Sequence, residues 1–200
     1  MIDKLDRALK ELLERELVPG LAAQMGISFA APDSDFPPQG LTIPAVDLFL
    51  YDVRENLELR SPGLSLMQTE NGSVWRKRPL VWVDCSYLIT AWASENSPTR
   101  PFDEHHLLSE VMKVLLRHPR LPDALLPEDL RNQAPQIPTS TLQPGRLQSV
   151  SEFWQALGGK PKAALNYTLT IGIAPDRPQE TEAPVIDKII GIRPGLELGL

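Results

Sequence analysis

A chain of 200 residues, 42% of them apolar, can bury one sizeable hydrophobic core and falls short of what a multidomain enzyme needs. Its 26 acidic and 20 basic side chains give a formal charge of −6, which offers phosphate backbones no general attraction, so nucleic acid is not an expected partner. A single cysteine, Cys85, excludes an internal disulfide and a cysteine-rich zinc site, while 20 prolines, about twice the usual share, forecast long stiff connections.

The opening residues spread their charges throughout and lack the apolar run and cleavage site of a signal peptide. No apolar stretch approaches the roughly 20 residues that cross a bilayer as a helix. The expectation is a soluble protein that assembles in the cytoplasm without inserting into a membrane. Ile2, Leu5, Leu9, Leu12, Leu13 and Leu17 recur at steps of three and four, which predicts an amphipathic helix over 2–18, ended by Pro19 and Gly20. Asp3 with Arg7, Asp6 with Lys10 and Glu11 with Arg15 are acid-first pairs four apart on its outer surface. The polar face mixes both signs and the apolar face has no Trp or Phe, so this stripe packs on a core rather than on a lipid surface.

Residues 25–30 read as a short strand, and 31–44, with four prolines, as a surface loop. Over 45–53, Val46, Leu48 and Leu50 share one strand face and Asp47, Phe49 and Tyr51 the other. Segments 57–60 and 74–78 flank Asn71-Gly72, a turn dipeptide, and suggest an extended hairpin arm. The strongest strand pattern runs over 80–93. Val81, Val83, Cys85, Tyr87, Ile89 and Ala91 make an apolar face, and the opposite face mixes Trp82 and Trp92 with Asp84, Ser86 and Thr90. A mixed face of this kind is covered by something besides the main core.

Asp103 and Glu104 suit a helix N-terminus, and Leu107, Leu108, Val111, Met112, Leu115 and Leu116 form the apolar face of a second main helix ending near Arg117 and His118. Six prolines between 119 and 145 exclude a long helix or a central strand there, leaving room for one helical turn at 127–131. Ser151 is a fitting cap for a short third helix closed by Gly158-Gly159. Leu165, Tyr167, Leu169, Ile171 and Ile173 then alternate with Asn166, Thr168, Thr170 and Gly172 as a last strand. Beyond Pro175 the polar DRPQETEA precedes Val185, Ile186, Ile189, Ile190 and Ile192, too few to build a core. The elements sum to an α+β fold, a mixed but largely antiparallel sheet flanked by two main helices and a short third. The expected organisation is one globular domain over 1–175 and an arm over 176–200 that folds back or docks on a neighbour.

Chemistry-bearing motifs are sparse. The chain has no GxxxxGK[ST], no GxGxxG between a strand and a helix, and no GxSxG. His105 and His106 point about 100 degrees apart on a helix, so a metal-dependent hydrolase built on them, with Glu104 or Glu110, stays an alternative to a plain surface pair. A small binding module is another. Cys85 falls on the apolar strand face, where a thiol is inert. Arg76, Lys77 and Arg78 could seat an anion or guard a strand edge. No catalytic residue, metal site or cofactor is expected.

Four blocks stand in order: FLYDVRENLELRS at 49–61, VDCSYLITAWA at 83–93, DEHHLLSEVMKVLLRHP at 103–119 and FWQALGGKPKAALNYTLTIGI at 153–173. Together with MIDKLDRALKELLERELV they resemble the tail-terminator, or cap, family of extracellular contractile injection systems, phage-tail-like particles in which a sheath drives an inner tube. The resemblance covers most of 1–173. It implies a structural protein, similar in fold and role to contractile-phage tail terminators, that forms a homohexameric ring on the baseplate-distal end of inner tube and sheath. The implied role is to halt growth and fix length in a particle that is released or anchored. A closed ring needs two different patches per subunit. The expected carriers of subunit and filament contacts are the hairpin region around Arg54, Asn56, Arg60, Arg76, Lys77 and Arg78, and the strand-like tail with Val185, Ile186, Ile189, Ile190 and Ile192.

Overall fold

The computed structural model describes residues 1–60, 65–68, 74–77, 79–131, 133, 136–142, 150–159, 161–175 and 179–181. In chain order the elements are α1 (Ile2–Glu16), α2 (Pro19–Ala22), β1 (Gly26–Ser28), β2 (Ala45–Glu55), β3 (Ser65–Gln68), β4 (Val74–Lys77) and β5 (Val81–Trp92). They continue with α3 (Arg100–Arg117), α4 (Glu128–Arg131), β6 (Thr139–Thr141), α5 (Val150–Ala156), β7 (Ala164–Ile173) and β8 (Gln179–Thr181). Contacts divide the chain into two units, one of Met1–Arg60 with Val81–Ile173, the other of Ser61–Leu80 with Ala174–Leu200.

In the larger unit the strand order is β1-β2-β5-β7-β6, with β1 parallel to β2 and every other pairing antiparallel. This is the mixed, largely antiparallel sheet that the alternation in β2, β5 and β7 predicts. Leu5, Leu9, Leu12, Leu13 and Leu17 of the first helical region and Leu107, Leu108, Val111, Val114 and Leu115 of α3 bury against Val46, Leu48, Cys85, Tyr87, Ile89, Tyr167, Leu169 and Ile171. Each such Leu or Ile contributes about 1.5–3 kcal/mol by leaving water. Two readings of the helices are corrected. Leu116 lies outside the core, 52% exposed, and Val114 takes its place, because Val114 and Leu115 follow Val111 by three and four residues on one helix face and Leu116 falls beside it. Asp6 does not pair with Lys10. Its half-buried carboxylate accepts a hydrogen bond from the Tyr87 hydroxyl at 2.7 Å, and Lys10 turns to Glu14 at 3.8 Å. The pairs Asp3–Arg7 and Glu11–Arg15 form as read.

The second face of the sheet is covered too, by α5 and the proline loop. Phe36 of that loop packs on Trp92 with ring centroids 4.3 Å apart, so the segment read as a surface loop closes over the sheet. Phe153 of α5 meets Phe49 and Tyr51 at 6.2 and 6.3 Å, and Trp154 beside it is fully buried. The helix begins at Val150, which puts Ser151 within its first turn rather than at the cap, and it ends at Ala156, followed by Gly158, whose φ of +68° suits glycine. Gly26 has a different reason: a Cβ there would lie 2.3 Å from the Thr42 carbonyl oxygen, so the proline loop could not approach β1.

The smaller unit is a three-stranded antiparallel sheet, β3-β4-β8. The hairpin exists, but its first strand is Ser65–Gln68. Residues 57–59 form a 3-10 turn instead, because Asn56 Oδ1 accepts from the amides of Glu58 and Leu59 and caps it. Gln179–Thr181, inside the stretch read as a polar connection, is the third strand.

Candidate assembly interface

Arg54, Asn56 and Arg60 follow a β-bulge in β2. Leu50 faces Tyr87 on β5, yet Asp52 faces Ser86, so Tyr51 is the extra residue. Without it, Asp52 and Arg54 would turn toward the helices. With it they share the second face, opposite Ser86 and Asp84, and the Tyr51 hydroxyl reaches across to Asn166 Oδ1 at 3.2 Å. Arg54 grips Asp52 through Nε at 2.6 Å and Nη2 at 2.8 Å, and Arg60 meets Glu55 at 2.9 Å. Asn56, besides capping its turn, donates from Nδ2 to Asp84 Oδ1 at 3.0 Å, and Thr170 donates to the same oxygen at 2.7 Å. Ser86 and Thr168 complete a row of polar cross-strand contacts at 3.1 Å.

Where β1 pairs with β2 the environment turns hostile to charge. Asp47 is completely buried, and among the described residues neither carboxylate oxygen has a partner within ordinary hydrogen-bond geometry. Burial pushes its pKa up to about 7, and the nearby Ser28 hydroxyl on β1 pulls back only part of that. Glu104 at the start of α3 receives Lys162 at 2.7 Å and Arg100 at 3.1 Å, while Lys162 Nζ sits 4.1 Å from the Trp92 ring centroid. Burial opposes the Glu104 charge, yet its two cationic partners hold the carboxyl below its ordinary value. This engagement removes Glu104 from the histidine pair, and His105 and His106 are exposed on α3. Among the described residues no three His, Cys, Asp or Glu side chains converge as a metal site. The Cys85 thiol is pushed up to about 11, by burial first and by the Asp6 and Asp84 charges after it.

The two ends of the larger sheet are unlike. At the β7 end the outer backbone from Asn166 to Gly172 is occupied. β6 pairs with Tyr167 to Leu169, the Thr170 amide donates to the Pro138 carbonyl at 3.2 Å, and Leu142 donates to the Asn166 carbonyl at 3.2 Å. Gln133 finishes the seal as a one-residue imitation strand, its Oε1 accepting from the Gly172 amide at 2.8 Å and its Nε2 donating to the Gly172 carbonyl at 2.6 Å. At the β2 end, β1 covers only Ala45 to Asp47. On either side of the Tyr51 bulge, the outer edge at 48–50 and 52–55 has no strand against it among the described residues. Val53 and Leu57 stand there 47% and 67% exposed.

Of the residues the sequence singled out, Arg76 and Lys77 lie in β4, with Arg76 opposite Leu66 on one side and Gln179 on the other. Arg78, Val185, Ile186, Ile189, Ile190 and Ile192 fall outside the described residues. Gln133 and the Tyr51 bulge escaped the sequence reading: a lone glutamine between prolines has no periodic signal, and alternation fails silently where one residue is inserted. Among the described residues no helix is long and apolar enough to cross a membrane.

Comparison with known proteins places this arrangement. The family model of the Pvc16 N-terminal domain matches residues 4–188. Among solved structures, the chain is similar to a sheath/tube terminator of an extracellular contractile injection system, PVC, in the extended state. The TM-score is 0.69 at 25% identity, over 100% of this chain and 65% of that one. It is also similar to the tube-terminating cap of the anti-feeding prophage, with a TM-score of 0.65 and 27% identity over 96% of this chain and 61% of that one. The chain thus spans less than two thirds of the length of either. No curated protein matches it.

Proposed function

Because the chain belongs to the Pvc16 N-terminal domain family, we propose that it caps the baseplate-distal end of the tube and sheath of a contractile injection particle, ending polymerisation and fixing length. The observation that carries this is the superposition of the whole chain on a sheath/tube terminator. Capping requires no covalent chemistry. A growing filament end offers unpaired backbone groups, and a subunit that pairs with them while presenting no equivalent acceptor stops addition. The sealed β7 edge is the non-accepting side of that scheme. Six copies closing a ring through two different patches would match a six-fold tube. The hairpin with Arg76, Lys77 and Arg78, the residues Arg54, Asn56 and Arg60, and the tail with Val185, Ile186, Ile189, Ile190 and Ile192 supply the subunit and filament contacts. Assembly takes place in the cytoplasm before the particle is released or anchored.

Particles made in cells lacking this chain, measured by negative-stain microscopy, are expected to show a broad spread of tube lengths, and supplying the chain should restore a single narrow peak. Equal length distributions in both strains would overturn the reading.

A further inference from the structure

The segment from Gly26 to Pro44 is fastened to the larger sheet at few points. β1 pairs with β2 over three residues, where β2–β5 and β5–β7 each pair over ten. Among the described residues no backbone–backbone hydrogen bond joins 29–43 to another element. Side-chain packing and close approach hold it instead. Phe36 lies on Trp92, and the Pro32 carbonyl comes so near Gly159 that a Cβ there would stand 2.9 Å from its oxygen. The Trp92 indole donates from Nε1 to Thr90 Oγ1 at 2.9 Å, and Thr90 stands opposite Asp47 in register. Through Trp92 and Thr90 this strap reaches the fully buried Asp47 carboxyl.

Nothing packed around Asp47 answers a negative charge. β1 offers Ser28, whose oxygen accepts from the Ala30 amide at 3.1 Å, and β5 offers Thr90, which leaves the two hydroxyl protons as the available donors. The strap adds two more acids, Asp33, which accepts from the Asp35 amide at 3.0 Å, and the exposed Asp35. Of α5, whose Phe153 meets Phe49 on the same sheet face, the charged residue is Glu152, which is exposed. Lys162 on the Trp92 ring is committed to Glu104, which also holds Arg100. A carboxyl in such surroundings either stays protonated or has to be reached by water.

We infer that Asp47 is a pH-operated latch: protonated, it leaves β1 and the 29–44 strap closed on the sheet, and ionised, it releases them while β2, β5 and β7 stay paired. Opening gives the carboxylate the water that burial denies it, and it sacrifices three strand pairs and the Phe36 stack rather than the main core. The direction follows from burial, which lifts the closed carboxyl from 3.8 to about 7. Once opened, Asp47 titrates near its ordinary value, so the open-to-closed ratio climbs about tenfold per pH unit between the two values and levels off above the higher one. Opening uncovers the Trp92 ring and the backbone of Ala45 to Asp47, a surface that the closed chain withholds.

Hydrogen exchange followed by NMR on the full chain, as parent and as Asp47→Asn, tests this between pH 5 and 9, with protection factors dividing out the intrinsic pH dependence of exchange. The amides of 26–36 are expected to lose protection about tenfold per unit from pH 5 to 7 in the parent and to hold it constant in Asp47→Asn. At pH 8 the parent's 26–36 amides should also exchange about a hundredfold faster than the β5 and β7 amides of the same sample, as a local opening does. Amides of 26–36 that are unprotected at pH 5, constant protection in the parent, or the same slope in the variant would overturn the latch. Exchange of 26–36 in step with β5 and β7 would overturn it too, because release would then be global unfolding. Should Asp47→Asn not fold, the carbon-13 signal of the parent's own Asp47 carboxyl is read beside the same amides. Ionisation that leaves their protection unchanged then refutes the latch, and loss of protection that tracks ionisation upholds it.

Discussion

Replacing Asp47 with asparagine is expected to stabilise the protein by about 3–4 kcal/mol at pH 8 and to remove most of its pH dependence between pH 5 and 8. The carboxyl ordinarily titrates at 3.8 and is raised to about 7 in the folded state, because burial outweighs the pull of the Ser28 hydroxyl beside it. A raised acid is easier to protonate when folded, so the native state holds the proton that the unfolded chain has lost. Stability from this group is therefore greatest below pH 4, falls as pH rises through the interval, and levels off above pH 7. Each unit of separation is worth 1.36 kcal/mol, which gives about 3 kcal/mol lost between pH 5 and 8. Asp6, also raised by burial despite its hydrogen bond from Tyr87, acts in the same direction, so the variant is compared with the parent at each pH. Guanidinium unfolding midpoints at pH 5 and 8 make the comparison. A parent no less stable at pH 8, or a variant that follows the parent across the interval, would contradict the account.

Gln133→Leu is expected to cost about 2–6 kcal/mol, from leaving the buried Gly172 amide and carbonyl each without a partner at about 1–3 kcal/mol apiece. The leucine keeps roughly the same volume, so the loss reports the missing hydrogen bonds rather than a cavity. It also unlocks part of the β7 edge. Light scattering of the variant should therefore rise with concentration at temperatures where the parent stays clear, as an unsealed strand finds partners. An unchanged unfolding midpoint would show that Gly172 does not depend on Gln133.

The parts of this fold that the sequence makes legible are those where a long element buries one side. The stripe of Leu5, Leu9, Leu12 and Leu13 and the alternations of β5 and β7 repeat often enough that any other arrangement would leave them in water. Three short features defeat that reasoning. Gln179–Thr181 becomes a strand because β4 offers it an edge, although only Thr181 of those three polar residues favours extension. The Asn56 cap converts a stretch that alternates like a strand into a turn. The bulge at Tyr51 reverses the parity of everything after it, and so decides which face carries Arg54. Of the candidate interface, the polar side chains were found by type, and their present partners, Asp52, Glu55 and Asp84, were not. Those pairings depend on contacts set by the register of β2 against β5 and by the turn that follows it.

Fab fragments raised against this chain, bound to intact particles and viewed by electron microscopy, address the central claim most directly. Density at one end of each particle, opposite the baseplate and touching both tube and sheath, is the expected picture. Label along the sheath, at the baseplate, or absent from particles of normal length would contradict it.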